Sequence, residues 1–161
     1  KINVSRNITS KLNILIPLLF LILIFLQISI GAFVSGMDAG KIYNSWPLMG
    51  SSYFPDDNNF DDLFKVAALS DPSLAQFIHR NLAYLIVIFY FSIFYKIYRN
   101  KMYDLYKSIN YLGIFIILQI ILGIFTVLYG AQIYVASLHQ ISSIFLVSSS
   151  IYFFYLNTKF N

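Results

Sequence analysis

Apolar residues run in four long blocks along this chain, at residues 12–34, 74–95, 109–128 and 134–156, and the charged residues collect between them. Crossing a bilayer core takes roughly 20 helical residues at about 1.5 Å rise each, and every block reaches that length. The pattern predicts an all-α membrane protein: a four-transmembrane-helix antiparallel bundle in a single domain over residues 1–161, with one long extramembrane loop at about residues 36–73. Small residues mark one face of the first block (Gly31, Ser35, Gly36) and of the third (Gly123, Thr126, Gly130), and their expected role is close helix packing.

The polar intervals differ in sign. Lys1, Arg6 and Lys11 precede the first block with no acidic residue, and Lys96, Arg99, Lys101 and Lys107 stand against one Asp104 between the second and third. The 36–73 interval instead carries Asp38, Asp56, Asp57, Asp61, Asp62 and Asp71 against Lys41 and Lys65. By the positive-inside rule both termini face the cytoplasm, or the matrix of an organelle, and the acidic loop faces outward. Within that loop Tyr43, Trp46, Leu48, Met49, Tyr53 and Phe54 are apolar enough either to lie in the membrane interface or to cover a site. Asp71-Pro72-Ser73 has the form of a helix start, with Asp71 as cap and Pro72 in the first turn.

Only 11% of the 161 residues are charged, against about 25% in soluble domains. The formal charge of +4 flanks the spans and reports topology; no nucleic-acid signature accompanies it. There is no cysteine, which excludes disulfides, thiolate metal sites and cysteine nucleophiles. The chain begins at Lys1 without a methionine, which we read as a cut within a longer polypeptide.

Two histidines carry the candidate chemistry. His79, in Gln76-Phe77-Ile78-His79-Arg80, and His139, in Ser137-Leu138-His139-Gln140, each lie about five residues into an apolar block. The second and fourth helices run in the same direction, so both imidazoles are expected roughly 8 Å below the outer boundary. Diagonal helices of such a bundle both face its centre. Ionisable groups inside a span usually mark function, and two imidazoles at matching depth suit the axial positions of one haem iron. A haem held that way moves electrons and does not bind oxygen. The plain alternative is that each histidine hydrogen-bonds a neighbouring helix. Copper or zinc is the next metal choice, but two histidines without carboxylate or thiolate make a poor zinc site. Ala83, Ser142 and Ser143, three or four positions beyond the histidines, leave room for a porphyrin edge. Arg80 is a candidate partner for a haem propionate or a snorkelling anchor. Gln76, three positions before His79, is a candidate hydrogen-bond donor to the ligand or the imidazole, and as a neutral amide it is no acid or base. The cluster Asp56, Asp57, Asp61 and Asp62 is read as a solvated loop in preference to a metal site.

Two longer runs are more specific. Gly31-Ala32-Phe33-Val34-Ser35-Gly36-Met37-Asp38-Ala39-Gly40 and Ile42-Tyr43-Asn44-Ser45-Trp46-Pro47-Leu48-Met49-Gly50 resemble the haem A synthase family, in its mitochondrial and proteobacterial branch. Asp71-Pro72, the Gln76–Arg80 run, Leu122-Gly123-Ile124 and the Ser137–Gln140 run extend the resemblance over nearly all of residues 12–156. Members of that family have eight spans in two four-helix halves, each with a histidine pair, and oxidise a methyl group of haem O to the formyl group of haem A for cytochrome oxidase. The resemblance implies that this chain is the C-terminal half, in which His79 and His139 ligate haem B. In the first half a glutamate stands three residues before the His-Arg pair; here that position is Gln76, so the resemblance implies no catalytic residue in this chain. It also implies as partners the lipid bilayer, the N-terminal half or a homologous half, haem O in the whole enzyme and an electron donor or acceptor. The location implied is the bacterial cell membrane or the mitochondrial inner membrane. The competing functional class is a non-catalytic bis-histidine b-type electron-transfer or haem-handling protein.

Overall fold

The computed structural model describes residues 11–159; the charges at Lys1 and Arg6 lie outside them. Four helices form the molecule: α1 (Leu15–Gly36), α2 (Pro72–Arg99), α3 (Tyr103–Leu128) and α4 (Ile133–Lys159). All four are long and apolar enough to cross a membrane, and the chain is an integral membrane protein of the all-α class.

Three helices are longer than the apolar blocks alone indicate, α4 by four residues and α2 and α3 by six each. α2 runs on through Lys96 to Arg99 and α3 begins at Tyr103, leaving only residues 100–102 between them. The basic residues continue the helix because their charges suit its carbonyl end. Lys101 turns the chain with a left-handed φ of 52°, and the Met102 N–H donates to Ile97 O at 3.0 Å. α1 instead starts three residues later than its apolar block. Leu12 is held outside the helix by Asn157 near the end of α4: the Leu12 N–H donates to Asn157 Oδ1 and Asn157 Nδ2 donates to Leu12 O, both at 3.1 Å.

Neighbouring helices pack in the order α1, α2, α3, α4, with α4 closing against α1. The apolar core fills the half of the bundle away from the long loop. Phe20 and Ile24 of α1, Ile93 and Ile97 of α2, Ile109 and Leu112 of α3 and Phe153 of α4 are buried there. The other half contains both histidines.

The 36–73 loop is more regular than its glycines and prolines predict. It holds three single turns of 3-10 helix, at Ala39–Lys41, Phe60–Phe64 and Val66–Ser70. The cap read from the sequence is present: an Asp71 carboxylate oxygen accepts from the Leu74 N–H at 2.9 Å, with Pro72 as the first residue of α2.

Candidate functional site

α2 carries His79 seven residues after Pro72, and α4 carries His139 six residues after Ile133. At about 1.5 Å per residue the two rings lie roughly 10 and 9 Å along their helices from the loop-side ends. Each is half-buried.

Each ring is seated on a glycine of the preceding helix. A β-carbon built on Gly31 would lie 3.0 Å from His79 Cε1, and one on Gly123 would lie 3.2 Å from His139 Cε1. These glycines were expected to let helix backbones approach; what approaches them is an imidazole. Gly36 faces open space, and Gly130 ends the α3 region with a left-handed φ of 62°. Thr126 donates its hydroxyl to Leu122 O of its own helix.

One helical turn before each glycine stands a glutamine that sequence reasoning missed. Gln27 Nε2 donates to His79 O at 3.0 Å and lies 3.2 Å from both ring nitrogens. Gln119 Nε2 donates to His139 O at 3.2 Å and to Ser142 Oγ. The Ser142 hydroxyl in turn donates to His139 O at 3.0 Å. A signal was available: Gln27-Ile28-Ser29-Ile30-Gly31 and Gln119-Ile120-Ile121-Leu122-Gly123 share Gln-Ile-x-x-Gly, each one helix ahead of a histidine.

Arg80 and Gln76 point elsewhere. Arg80, 9% exposed, donates from Nη2 to Tyr43 O and from Nη1 to Ser45 O and Leu48 O, at 3.0–3.2 Å. Gln76 Nε2 donates to the same Tyr43 carbonyl at 3.1 Å. Arg80 is therefore buried beneath the loop and does not snorkel to the headgroups. These bonds tie the loop to the first turns of α2, one residue from His79. The loop's aromatic residues extend that attachment. The Trp46 indole N–H donates to Tyr84 Oη, the Tyr53 hydroxyl donates to Asn81 Oδ1, and Phe54 packs edge-on against Phe77. These residues cover the loop-side end of α2.

The acidic cluster is tied into the same attachment. Asp57 accepts from Tyr43 Oη at 3.0 Å and from Ser73 Oγ at 2.6 Å, and Asp56 accepts from Ser51 and Ser52. No group of three or more metal-binding side chains occurs among the described residues.

The donor set fits haem iron better than a bare divalent ion. Two neutral imidazoles with no carboxylate or thiolate near them suit a macrocycle that supplies the other four ligands. His139 Nδ1 and Gln27 Oε1 are both buried without a hydrogen-bond partner, and buried polar atoms ordinarily have one.

Residues 5–151 match the cytochrome oxidase assembly protein family. The chain is 45% identical over 148 residues to a protein named "Heme A synthase" from Pelagibacter ubique (strain HTCC1062), covering 89% of this chain and 44% of that one. Proteins of the same name from Rickettsia felis and Rickettsia bellii (strain RML369-C) are 39% and 38% identical over 156 and 145 residues. Those alignments cover 92% and 88% of this chain and 45% and 43% of the relatives. The chain thus spans less than half the length of the curated relatives it matches. No solved structure matches it.

Proposed function

The chain belongs to the cytochrome oxidase assembly protein family, and from that membership we propose that it is the haem-B-binding, C-terminal half of a haem A synthase. In the whole eight-helix protein, two such four-helix halves convert haem O to haem A by oxidising a ring methyl to a formyl group. His79 and His139 are the residues that would hold the haem iron in this half. The observation that carries the reading is the matched pair of imidazoles. They stand on diagonal helices at nearly equal depth, each seated on a glycine.

When bound between the two imidazoles, a haem would supply single-electron transfer and leave no open site for oxygen. The rest falls to the chain's own residues. Gly31 and Gly123 leave the rings their space, and the α1 and α3 glutamines hold the backbone carbonyls of both ligands. Arg80 and Gln76 fasten the outer loop over α2. Arg80 Nε remains buried without a partner, which keeps a guanidinium edge available to an anionic haem substituent. Gln76 is a neutral amide at the position where the catalytic half carries its glutamate, so this half conducts electrons and the partner half holds haem O.

By the positive-inside rule, the basic residues between α2 and α3 support a cytoplasmic or matrix side for that turn and for the start of α1 and the end of α4. The acidic loop and the haem then lie toward the outer face, within reach of an electron partner there.

The test is spectroscopic. The purified protein in detergent, loaded with haem B, is expected to show a low-spin bis-imidazole spectrum that His79→Ala and His139→Ala each abolish. An unchanged spectrum in both variants would overturn the ligand assignment. Co-expression with a complementary first half is expected to yield haem A from haem O. Bound haem B without haem A would favour the non-catalytic b-type electron-transfer reading instead.

A further inference from the structure

The two histidines are held alike by their backbones and unlike by their rings. Gln27 and Gln119 each donate to the backbone carbonyl of the histidine across the helix interface. Such a carbonyl sits in mid-helix and already serves the N–H four residues on. The extra bond therefore fixes how far each ligand helix has turned relative to its neighbour. Beyond this shared grip the pair diverges. The Gln27 amide also touches the His79 ring, lying 3.2 Å from both nitrogens, and its Oε1 is buried without a partner. The Gln119 amide spends its second contact on Ser142 Oγ, and His139 Nδ1 is left buried with no partner at all.

A metal-bound neutral imidazole carries its proton on the nitrogen away from the metal, and that N–H seeks an acceptor. The acceptor makes the ligand more basic and stabilises the oxidised metal. An amide can present either its nitrogen or its oxygen at one place by a half-turn of its terminal bond. Turned in this way, Gln27 would give up its bond to the His79 carbonyl, which still serves its own helix, and bring Oε1 to the ring that its amide already touches. No hydrogen bond joins the Gln119 amide nitrogen to the His139 ring: it serves Ser142 Oγ and the His139 carbonyl.

We propose that Gln27 is a positioning residue that sets the pitch of the His79 imidazole and accepts its ring N–H, while Gln119 holds His139 through the backbone alone, making the two axial ligands electronically unequal. The inference rests on the bis-histidine reading above and extends it to residues outside the ligand pair.

The experiment is a potentiometric titration of bound haem B in the full chain, with electron paramagnetic resonance of the oxidised form. Gln27→Leu removes the acceptor at similar volume and is expected to favour reduction about tenfold, a shift of roughly +59 mV for one electron. Its low-spin resonance should also move as the ring is freed to turn. Gln27→Glu supplies a stronger acceptor and is expected to shift the equilibrium the other way. Gln119→Leu, which loosens only the backbone of His139, is expected to shift the potential less than Gln27→Leu does. Unchanged potentials in both Gln27 variants would overturn the proposal, as would an equal shift in Gln119→Leu, which would mark a general packing effect. If Gln27→Leu fails to fold, the Gln27→Glu shift alone decides. Failure of the ligand assignment is distinguishable, because the parent protein would then lack the bis-imidazole spectrum.

Discussion

A β-carbon added at Gly31 would stand 3.0 Å from Cε1 of His79, closer than ordinary van der Waals contact, so the backbone of α1 is the wall against which that imidazole lies. At Gly123 the corresponding gap to His139 is 3.2 Å. Alanine in a helix interior is worth about 1 kcal/mol over glycine, so Gly31→Ala and Gly123→Ala should not unfold the protein. They should instead displace the rings. We expect haem content at fixed added haem B to fall in both, more at Gly31, with the melting temperature of the haem-free protein unchanged or raised. Pyridine haemochrome assay and thermal circular dichroism read the two quantities separately. Full haem occupancy in both variants would show that the glycines serve helix packing alone.

Arg80 supports a different part of the structure. Its guanidinium serves the carbonyls of Tyr43, Ser45 and Leu48, and each hydrogen bond from a charged donor is worth about 1.5–3 kcal/mol when buried. Lysine presents a single ammonium and no planar fork, so it cannot span three acceptors at once. Arg80→Lys and Arg80→Ala are both expected to loosen the 36–73 loop while the four helices remain intact. Limited proteolysis in vesicles with the loop exposed should show faster loop cleavage in both, with alanine the faster. Parental cleavage rates in the alanine variant would mean that the loop is held by its aromatic contacts instead.

The features legible in the sequence were those that follow from bulk chemistry. Four apolar blocks had to become helices, because backbone polar groups in lipid can be satisfied only within the segment. Asp71-Pro72 had to start one of them. The helix ends were less legible, because Lys96 and Arg99 read as the close of a span yet continue α2. Leu12 read as helical, but Asn157, 145 residues away, holds it outside α1. The histidines announced themselves as rare ionisable groups in apolar runs. Gln27 and Gln119 did not, since one amide in an apolar helix has no local pattern, and only the repeated Gln-Ile-x-x-Gly could have exposed them. The destination of Arg80 was beyond reach from sequence, because its acceptors are backbone carbonyls, which every residue possesses.

Loop docking should depend on pH through Asp57 and Asp56. Partial burial works against the Asp57 carboxylate, but the hydrogen bonds from Ser73, Tyr43 and Asn58 outweigh it and hold its pKa below the ordinary 3.8. The hydroxyls of Ser52 and Ser51 depress Asp56 in the same direction. A carboxylate with a depressed folded pKa contributes stability above its unfolded value and loses it as pH falls through the folded one. Docking should therefore be flat above about pH 4 and weaken below it. Tyr43 behaves oppositely: burial, then its bond to Asp57, raises its pKa above 10.0, so its contribution holds below pH 10 and fades as pH climbs further. Trp46, the only tryptophan of the chain, bonds Tyr84 across the docked face and serves as the probe. Its fluorescence in vesicles should change below about pH 4, and Asp57→Asn should remove much of that change. A transition of the same size and midpoint in Asp57→Asn would assign it to other groups.

The tightest fit in the bundle lies away from the histidines, where Tyr90 of α2 crosses Gly113 of α3. A β-carbon at position 113 would collide with Tyr90 Oη and fall 2.9 Å from Cζ, and the hydroxyl donates to Ile109 O at 3.2 Å. Gly113→Ala therefore forces the ring out of a nearly closed site, since Tyr90 is 6% exposed. Overpacking of this kind costs about 1–3 kcal/mol, enough to exceed the helix preference for alanine. Tyr90→Phe alone should cost about 1 kcal/mol for the lost hydrogen bond. Because the hydroxyl is the clashing atom, Gly113→Ala with Tyr90→Phe should be more stable than Gly113→Ala alone. A double-mutant cycle in detergent, by thermal or denaturant unfolding, measures that coupling. Additive losses would mean that the ring escapes the added methyl by another route, and that the α2–α3 contact is looser than the approach of Tyr90 to Gly113 implies.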